Sequence, residues 1–98
     1  MVELNREILV KVYGNEKLLE LREIDLSLYK ITKVDPNTFK GLTKLEKLSL
    51  HNTEIEEIDA RLFENLSNLK VLYLGNNKLK RIESNTFKGL QIREIITQ

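Results

Sequence analysis

Few residues of this chain have types and spacing that could do chemistry. The single histidine, His51, stands two residues after Ser49, so on a strand both side chains would leave the same face. Asp25 precedes Ser49 by 24 residues and completes the residue types of a hydrolytic triad. A triad also needs a hydrogen-bonded base, an orienting acid and an oxyanion hole in a water-poor pocket. An open strand face offers no such pocket, and we expect no enzyme activity.

The sequence contains few residues that could bind a metal or a cofactor. One histidine with scattered carboxylates does not meet the usual ligand requirement of zinc. The absence of cysteine excludes disulfides, thiolate catalysis and cysteine-ligated metals. The four glycines have no phosphate-cradling spacing. The sequence therefore predicts no cofactor.

Length and composition predict one folded domain or a piece of one, without a nucleic-acid or membrane role. The 98 residues are 41% hydrophobic and 32% charged, which is ordinary for a packed domain. With a formal charge of only +1, the chain lacks the strongly basic surface that attracts nucleic acids and anionic membranes. Apolar runs such as Ile8-Leu9-Val10 are far shorter than the roughly 20 residues of a membrane span. No signal peptide is visible at the start, and the compartment stays open.

A 24-residue period organises the elements that must position these residues. All three phenylalanines, Phe39, Phe63 and Phe87, follow this interval. Six further apolar columns do so as well: Leu21, Leu45 and Leu69; Ile24, Leu48 and Leu72; Leu26, Leu50 and Leu74; Ile31, Ile55 and Leu79; Val34, Ile58 and Ile82; Leu42, Leu66 and Leu90. We expect repeated units that bury these columns only by stacking.

Each unit divides into a strand and a turn. Its first apolar residues are spaced three and then two, which suits a short strand with Leu48 and Leu50 facing inward together. Its second half has turn-forming residues and an apolar pair three apart, such as Phe39 and Leu42, which suits one helical or 3₁₀ turn.

These residues resemble the leucine-rich-repeat family. Its pattern LxxLxLxxNxL is met by Leu69, Leu72, Leu74, Asn77 and Leu79. The 24-residue unit ending in Phe and then Leu is similar to the typical subclass of Toll-like receptors, small proteoglycans and lamprey lymphocyte receptors. The resemblance covers residues 21–98. The chain lacks the cysteine caps that extracellular animal members of the family usually have.

The resemblance implies an α/β repeat fold, a short curved leucine-rich-repeat solenoid. A parallel sheet would line the concave face, with short helical or 3₁₀ turns and loops on the convex side. It also implies a non-catalytic module that binds a protein or peptide ligand on the concave face. The residues expected there are Asp25, Ser27, Ser49, His51, Asn52, Tyr73 and Asn76.

The family asparagine that ties one repeat to the next is present only at Asn77. Tyr29 and Thr53 occupy the equivalent positions of the two preceding units. A threonine hydroxyl could supply part of that bonding, whereas a tyrosine should point elsewhere. Charges in neighbouring columns alternate in sign, as in Arg22 with Glu46 and Glu23 with Lys47, and we expect mainly structural ion pairs.

The ends of the chain depart from the repeat. Residues 1–20 are predicted to be an N-terminal cap, in which Glu7–Tyr13 forms a strand closed by a turn at Gly14-Asn15. We expect full repeats at 21–44, 45–68 and 69–91. A partial repeat at 92–98 follows, which begins a fourth strand with one residue deleted.

The last strand suggests a second function. Either the chain is a fragment of a longer repeat protein, or its apolar residues Ile92, Ile95 and Ile96 pair with another copy of the chain, giving a homodimer through the C-terminal end. Regular Lys and Glu usage without cysteine would also suit an engineered scaffold. The alternative to ligand binding is therefore an engineered or self-associating structural scaffold.

Overall fold

The computed structural model of the chain describes residues 2–27, 29–51, 53–64, 66–75, 77–78 and 94–96, with Val2 and the last three described by their backbone alone. No helix in these ranges is both long enough and apolar enough to cross a bilayer. The elements in chain order are β1 (Val2–Leu4), α1 (Arg6–Tyr13), α2 (Asn15–Leu18), β2 (Glu23–Asp25), β3 (Ile31–Val34), β4 (Lys47–Ser49), β5 (Val71–Tyr73) and β6 (Glu94–Ile96).

The strand predicted over Glu7–Tyr13 is wrong, because this segment forms α1. Its β-branched residues favoured a strand, but the helix has strong end signals. The Asn5 side chain accepts the Ile8 N–H at the N-terminus. At the other end Gly14 adopts φ 86° and donates its N–H to the Val10 carbonyl at 2.8 Å. The helix buries Leu9 completely, and this burial stabilises the helical conformation.

Four strands form one parallel sheet in the order β2-β4-β5-β6. Ile24 pairs with Leu48, and Leu48 with Leu72, so neighbouring strands are offset by 24 residues. β6 pairs with β5 through Leu72 and Ile95, an offset of 23. The predicted fourth strand and its one-residue deletion are confirmed. Ile92 lies outside the described residues.

The apolar columns form the core beneath this sheet. Leu48, Leu50 and Leu72 are all at 0% exposure, which confirms the prediction that the alternate strand positions face inward together. Phe39 and Phe63 are likewise buried beneath the turns. Burial of each such side chain is worth roughly 1.5–3 kcal/mol, so the stacked columns supply the main stabilising free energy.

The two described turns that end at Leu42 and Leu66 repeat at the same 24-residue interval as the apolar columns. Bonds from a backbone N–H to the carbonyl three residues earlier close them, as from Leu42 to Phe39 and from Leu66 to Phe63. This is the single helical or 3₁₀ turn predicted. Leu18 enters the same scheme, because Leu21 donates to its carbonyl as Leu45 does to that of Leu42. The repeat spacing therefore begins within α2.

A second, two-stranded sheet was not predicted. β1 pairs in parallel with β3, and Leu4 of β1 is buried. The Arg6 guanidinium donates to the carbonyls of Thr38 and Lys40 at 3.2 and 2.7 Å. The start of the chain is thereby fixed to the turn of the first repeat.

Asn77 ties two repeats together. Its Oδ1 accepts the Thr53 and Ile55 N–H groups at 3.1 and 2.9 Å, and its Nδ2 donates to the Leu50 and Leu74 carbonyls at 2.8 and 2.9 Å. The Thr53 hydroxyl lies 2.8 Å from the Leu50 carbonyl and 2.7 Å from Asn77 Oδ1, and its one proton serves either acceptor. As predicted, threonine supplies part of the bonding, whereas Tyr29 is 52% exposed.

We predict that Asn77→Ala lowers the free energy of unfolding by about 2–3 kcal/mol, because it leaves several backbone groups without partners. Urea unfolding followed by circular dichroism would measure the change. Asn68→Ala is the matched control, since it removes one exposed bond to the Thr43 carbonyl, and we expect a loss below about 1 kcal/mol. Equal losses would contradict the role of Asn77.

Candidate functional site

The outward face of the four-stranded sheet brings together most of the predicted binding residues. The strand register places Asp25 beside Ser49, and Ser49 beside Tyr73, in one row across three strands. Parallel strands lie about 4.8 Å apart, so the row spans about 10 Å from Asp25 to Tyr73. The small Ser49 side chain occupies its centre.

This row forms the floor of a shallow depression of about 580 Å³. Five of the seven predicted binding residues line it, and Asn52 and Asn76 lie outside the described residues. Three further lining residues were missed as contacts, although Glu23 and Lys47 share the face two positions before Asp25 and Ser49. The complete lining is Glu23, Ile24, Asp25, Ser27, Lys47, Ser49, His51 and Tyr73.

The Asp25 carboxylate is held in a fixed orientation. Its Oδ1 accepts the Ser27 N–H at 2.9 Å and the Ser27 hydroxyl. These two bonds, the hydroxyl first, hold the pKa of Asp25 below its ordinary value. Asp25 is therefore an ionised, oriented acceptor at one end of the depression.

His51 presents one nitrogen to the protein interior. Its Nδ1 is buried and has no hydrogen-bond partner among the described residues. Burying an N–H without a partner costs more than burying a lone pair of the ring. Nε2 is therefore the nitrogen of His51 that is left to form a hydrogen bond with a ligand.

The hydrogen bonds of a hydrolytic triad are not formed. Asp25 is bonded to Ser27, whereas the His51 Nδ1 that an orienting acid would contact has no described partner. The described residues also contain no group of three histidine, cysteine, aspartate or glutamate side chains able to hold a metal ion. What the arrangement offers is hydrogen bonding and charge toward a partner molecule.

The charges around the depression pair between repeats. Arg22 contacts Glu46 at 3.3 Å and Lys47 contacts Glu23 at 3.9 Å. The predicted structural pairing of these columns is confirmed. Such exposed pairs are worth at most about 1 kcal/mol each, so their main effect is to neutralise the face.

Tyr13 covers the edge of the sheet beside Asp25. Because Leu26 donates its N–H to the Ser49 carbonyl, the N–H of the preceding residue points away from β4. The Tyr13 hydroxyl accepts this Asp25 N–H, which lowers its pKa, but burial dominates and raises the pKa of Tyr13. The capping signal at Asn5 could have revealed this position, because it starts the helix that ends at Tyr13.

Two of the three residues predicted for self-association lie at the opposite edge, and Ile92 is outside the described residues. Ile95 and Ile96 belong to β6, where they pair with Leu72 and Tyr73 through the backbone. β6 has a strand neighbour on one side only among the described strands.

Comparison with known proteins connects this geometry to a family. Residues 43–96 match the family model described as leucine rich repeat, and residues 19–65 match the model described as leucine rich repeats in two copies. The first match alone covers more than half of the chain. A search of curated proteins gives no match.

The lowered pKa of Asp25 makes one contribution to stability depend on pH. Its folded pKa lies below the unfolded value, so the contribution is complete above about pH 4 and is lost as the pH falls through the folded pKa. We predict that wild type is more stable than Asp25→Asn at neutral pH and that the difference shrinks in acid. Urea midpoints of both chains between neutral and strongly acidic pH would measure it; a difference that stays constant or grows in acid would contradict the assignment.

Proposed function

The chain belongs to the leucine-rich-repeat family, and we propose that it is a non-catalytic module that binds a protein or peptide ligand on the outward face of its sheet. Domains of this family generally mediate protein–protein interaction and are typically not enzymes. The observation that carries the proposal is the depression of about 580 Å³ over the Asp25-Ser49-Tyr73 row.

The chemistry of the depression suits a protein surface. The half-buried Tyr73 offers a ring for apolar contact and a hydroxyl for hydrogen bonding, the combination that interface hot spots favour. His51 Nε2 and the serine hydroxyls supply polar contacts beside it. Ser49 is small enough to leave room for a ligand side chain between its neighbours.

We further propose that this face is the concave side of a short curved solenoid of the 24-residue subclass. The family implies a solenoid repeat fold, and the strand offset of 24 residues supports the subclass. Repeats at 21–44, 45–68 and 69–91 with a partial repeat at 92–98 follow from that offset. Residues 1–20 would cap the first repeat, which the β1–β3 pairing and the Arg6 bonds support.

We predict that replacing both Tyr73 and His51 with Ala weakens ligand binding at least tenfold, the equivalent of about 1.4 kcal/mol. The probes are short peptides selected from a random display library on the immobilised wild-type chain, with affinities measured by calorimetry. Tyr29→Ala is the matched control, because it removes an exposed tyrosine that does not line the depression.

The outcome separates the proposed face from other surfaces. Peptides that lose affinity for the double variant but not for Tyr29→Ala would support the proposal. Peptides that bind both variants as they bind wild type, or a library from which nothing is enriched, would refute it. Circular dichroism of each variant would establish that it is folded.

Self-association through β6 is the second candidate, because this edge strand presents backbone groups on the side away from β5. Such an edge pairs readily with an extended strand of a second copy. We expect a homodimer whose fraction rises with concentration, and light scattering from micromolar to millimolar protein would detect it. A monomeric mass throughout this range would eliminate the candidate.

A further inference from the structure

The ion pairs of this protein follow its repeat. Of the five pairs among the described residues, four join side chains that lie 24 positions apart. The pairs are Glu20 with Lys44, Arg22 with Glu46, Glu23 with Lys47, and Glu54 with Lys78. Adjacent repeats therefore neutralise each other column by column.

Asp25 breaks this pattern. Its neighbour one repeat along is the uncharged Ser49, and no described cation forms an ion pair with it. The depression contains two carboxylates and one ammonium, and Glu23 pairs with that ammonium on Lys47. No lysine or arginine of the depression is left to balance Asp25, and the other basic group there is the His51 imidazole.

The free acceptor capacity of Asp25 is concentrated on one oxygen. Both bonds from Ser27 go to Oδ1, and no described donor contacts Oδ2. A carboxylate accepts up to about four hydrogen bonds over its two oxygens. The side chain is thus oriented by Ser27 and keeps an open position for an incoming donor.

An aromatic ring lies at the opposite end of the same row. Tyr73 is two strands from Asp25, at about 10 Å by strand spacing. A ligand side chain that satisfies both ends must be long, apolar along its stem and cationic at its tip. Arginine meets this description, since its stem packs on aromatic rings and its planar guanidinium donates several hydrogen bonds to a carboxylate.

We infer that the ligand of the proposed binding face inserts an arginine side chain into the depression, with its stem against Tyr73, its length over Ser49 and its guanidinium at Asp25. This inference rests on the proposed function, because it specifies the ligand of that same face. The charge complementarity of an unpaired carboxylate distinguishes arginine from an acidic or neutral side chain.

The experiment uses the face-dependent peptides selected from the random library on the wild-type chain. We expect an arginine in these peptides, and we expect its replacement by citrulline, which has nearly the same shape without the charge, to weaken binding about fivefold to tenfold. Asp25→Asn should weaken binding of the arginine peptide by a similar factor and should leave the citrulline peptide almost unchanged.

Asp35→Asn is the matched control. Asp35 accepts the N–H of Asn37 at 2.8 Å, as Asp25 accepts that of Ser27 at 2.9 Å, but it does not line the depression. The substitution Asp35→Asn removes the same charge from the same kind of turn, and we expect unchanged affinity for the arginine peptide. A loss equal to that of Asp25→Asn would reduce the effect to net charge and overturn the inference.

The remaining outcomes separate the two proposals. Peptides that require Tyr73 and His51, yet lack arginine or bind Asp25→Asn as well as wild type, would overturn the arginine inference and leave the binding face standing. A library without any face-dependent peptide would refute the proposed function and the inference with it.

Discussion

The constraint on which the rest of the structure depends is the parallel pairing of short strands at one fixed sequence offset. Once Ile24, Leu48 and Leu72 pair in line, the strand residues of one repeat lie beside their equivalents in the next. Apolar columns then stack into a continuous core, and opposite charges meet across the strands. The outward residues are also arranged in rows by this offset, so the depression is a product of the same register as the core.

Sequence alone could predict what this register determines. The period of 24 identified the core columns, and strand alternation identified which residues point outward, so five of the residues expected on the outward face line one depression. The region before the repeat was harder, because it has no second copy to compare. There, β-branched residues favoured a strand, whereas the Asn5 cap, Gly14 and the burial of Leu9 favour α1. The β1–β3 pairing depends on tertiary contact and has no local signal of its own.

The connection between repeats shows how substitutions are tolerated. Asn77 satisfies backbone groups in two repeats with a single amide. At the equivalent position of the preceding repeat, Thr53 is buried and its hydroxyl bonds either the Leu50 carbonyl or Asn77. A hydroxyl has one proton where an amide has two, so Thr53 relies on Asn77 to complete the bonding. The integrity of the second repeat's turn is thus supplied partly by the third.

The contact of Tyr13 with the Asp25 N–H has a consequence for aggregation. An exposed sheet edge is a template on which strands from other molecules can assemble. Helix α1 places Tyr13 against β2, over the backbone N–H of Asp25, which points away from the sheet. An invading strand would have to displace a half-buried phenol before it could form its first bond there. The protein thus protects this edge with one aromatic side chain.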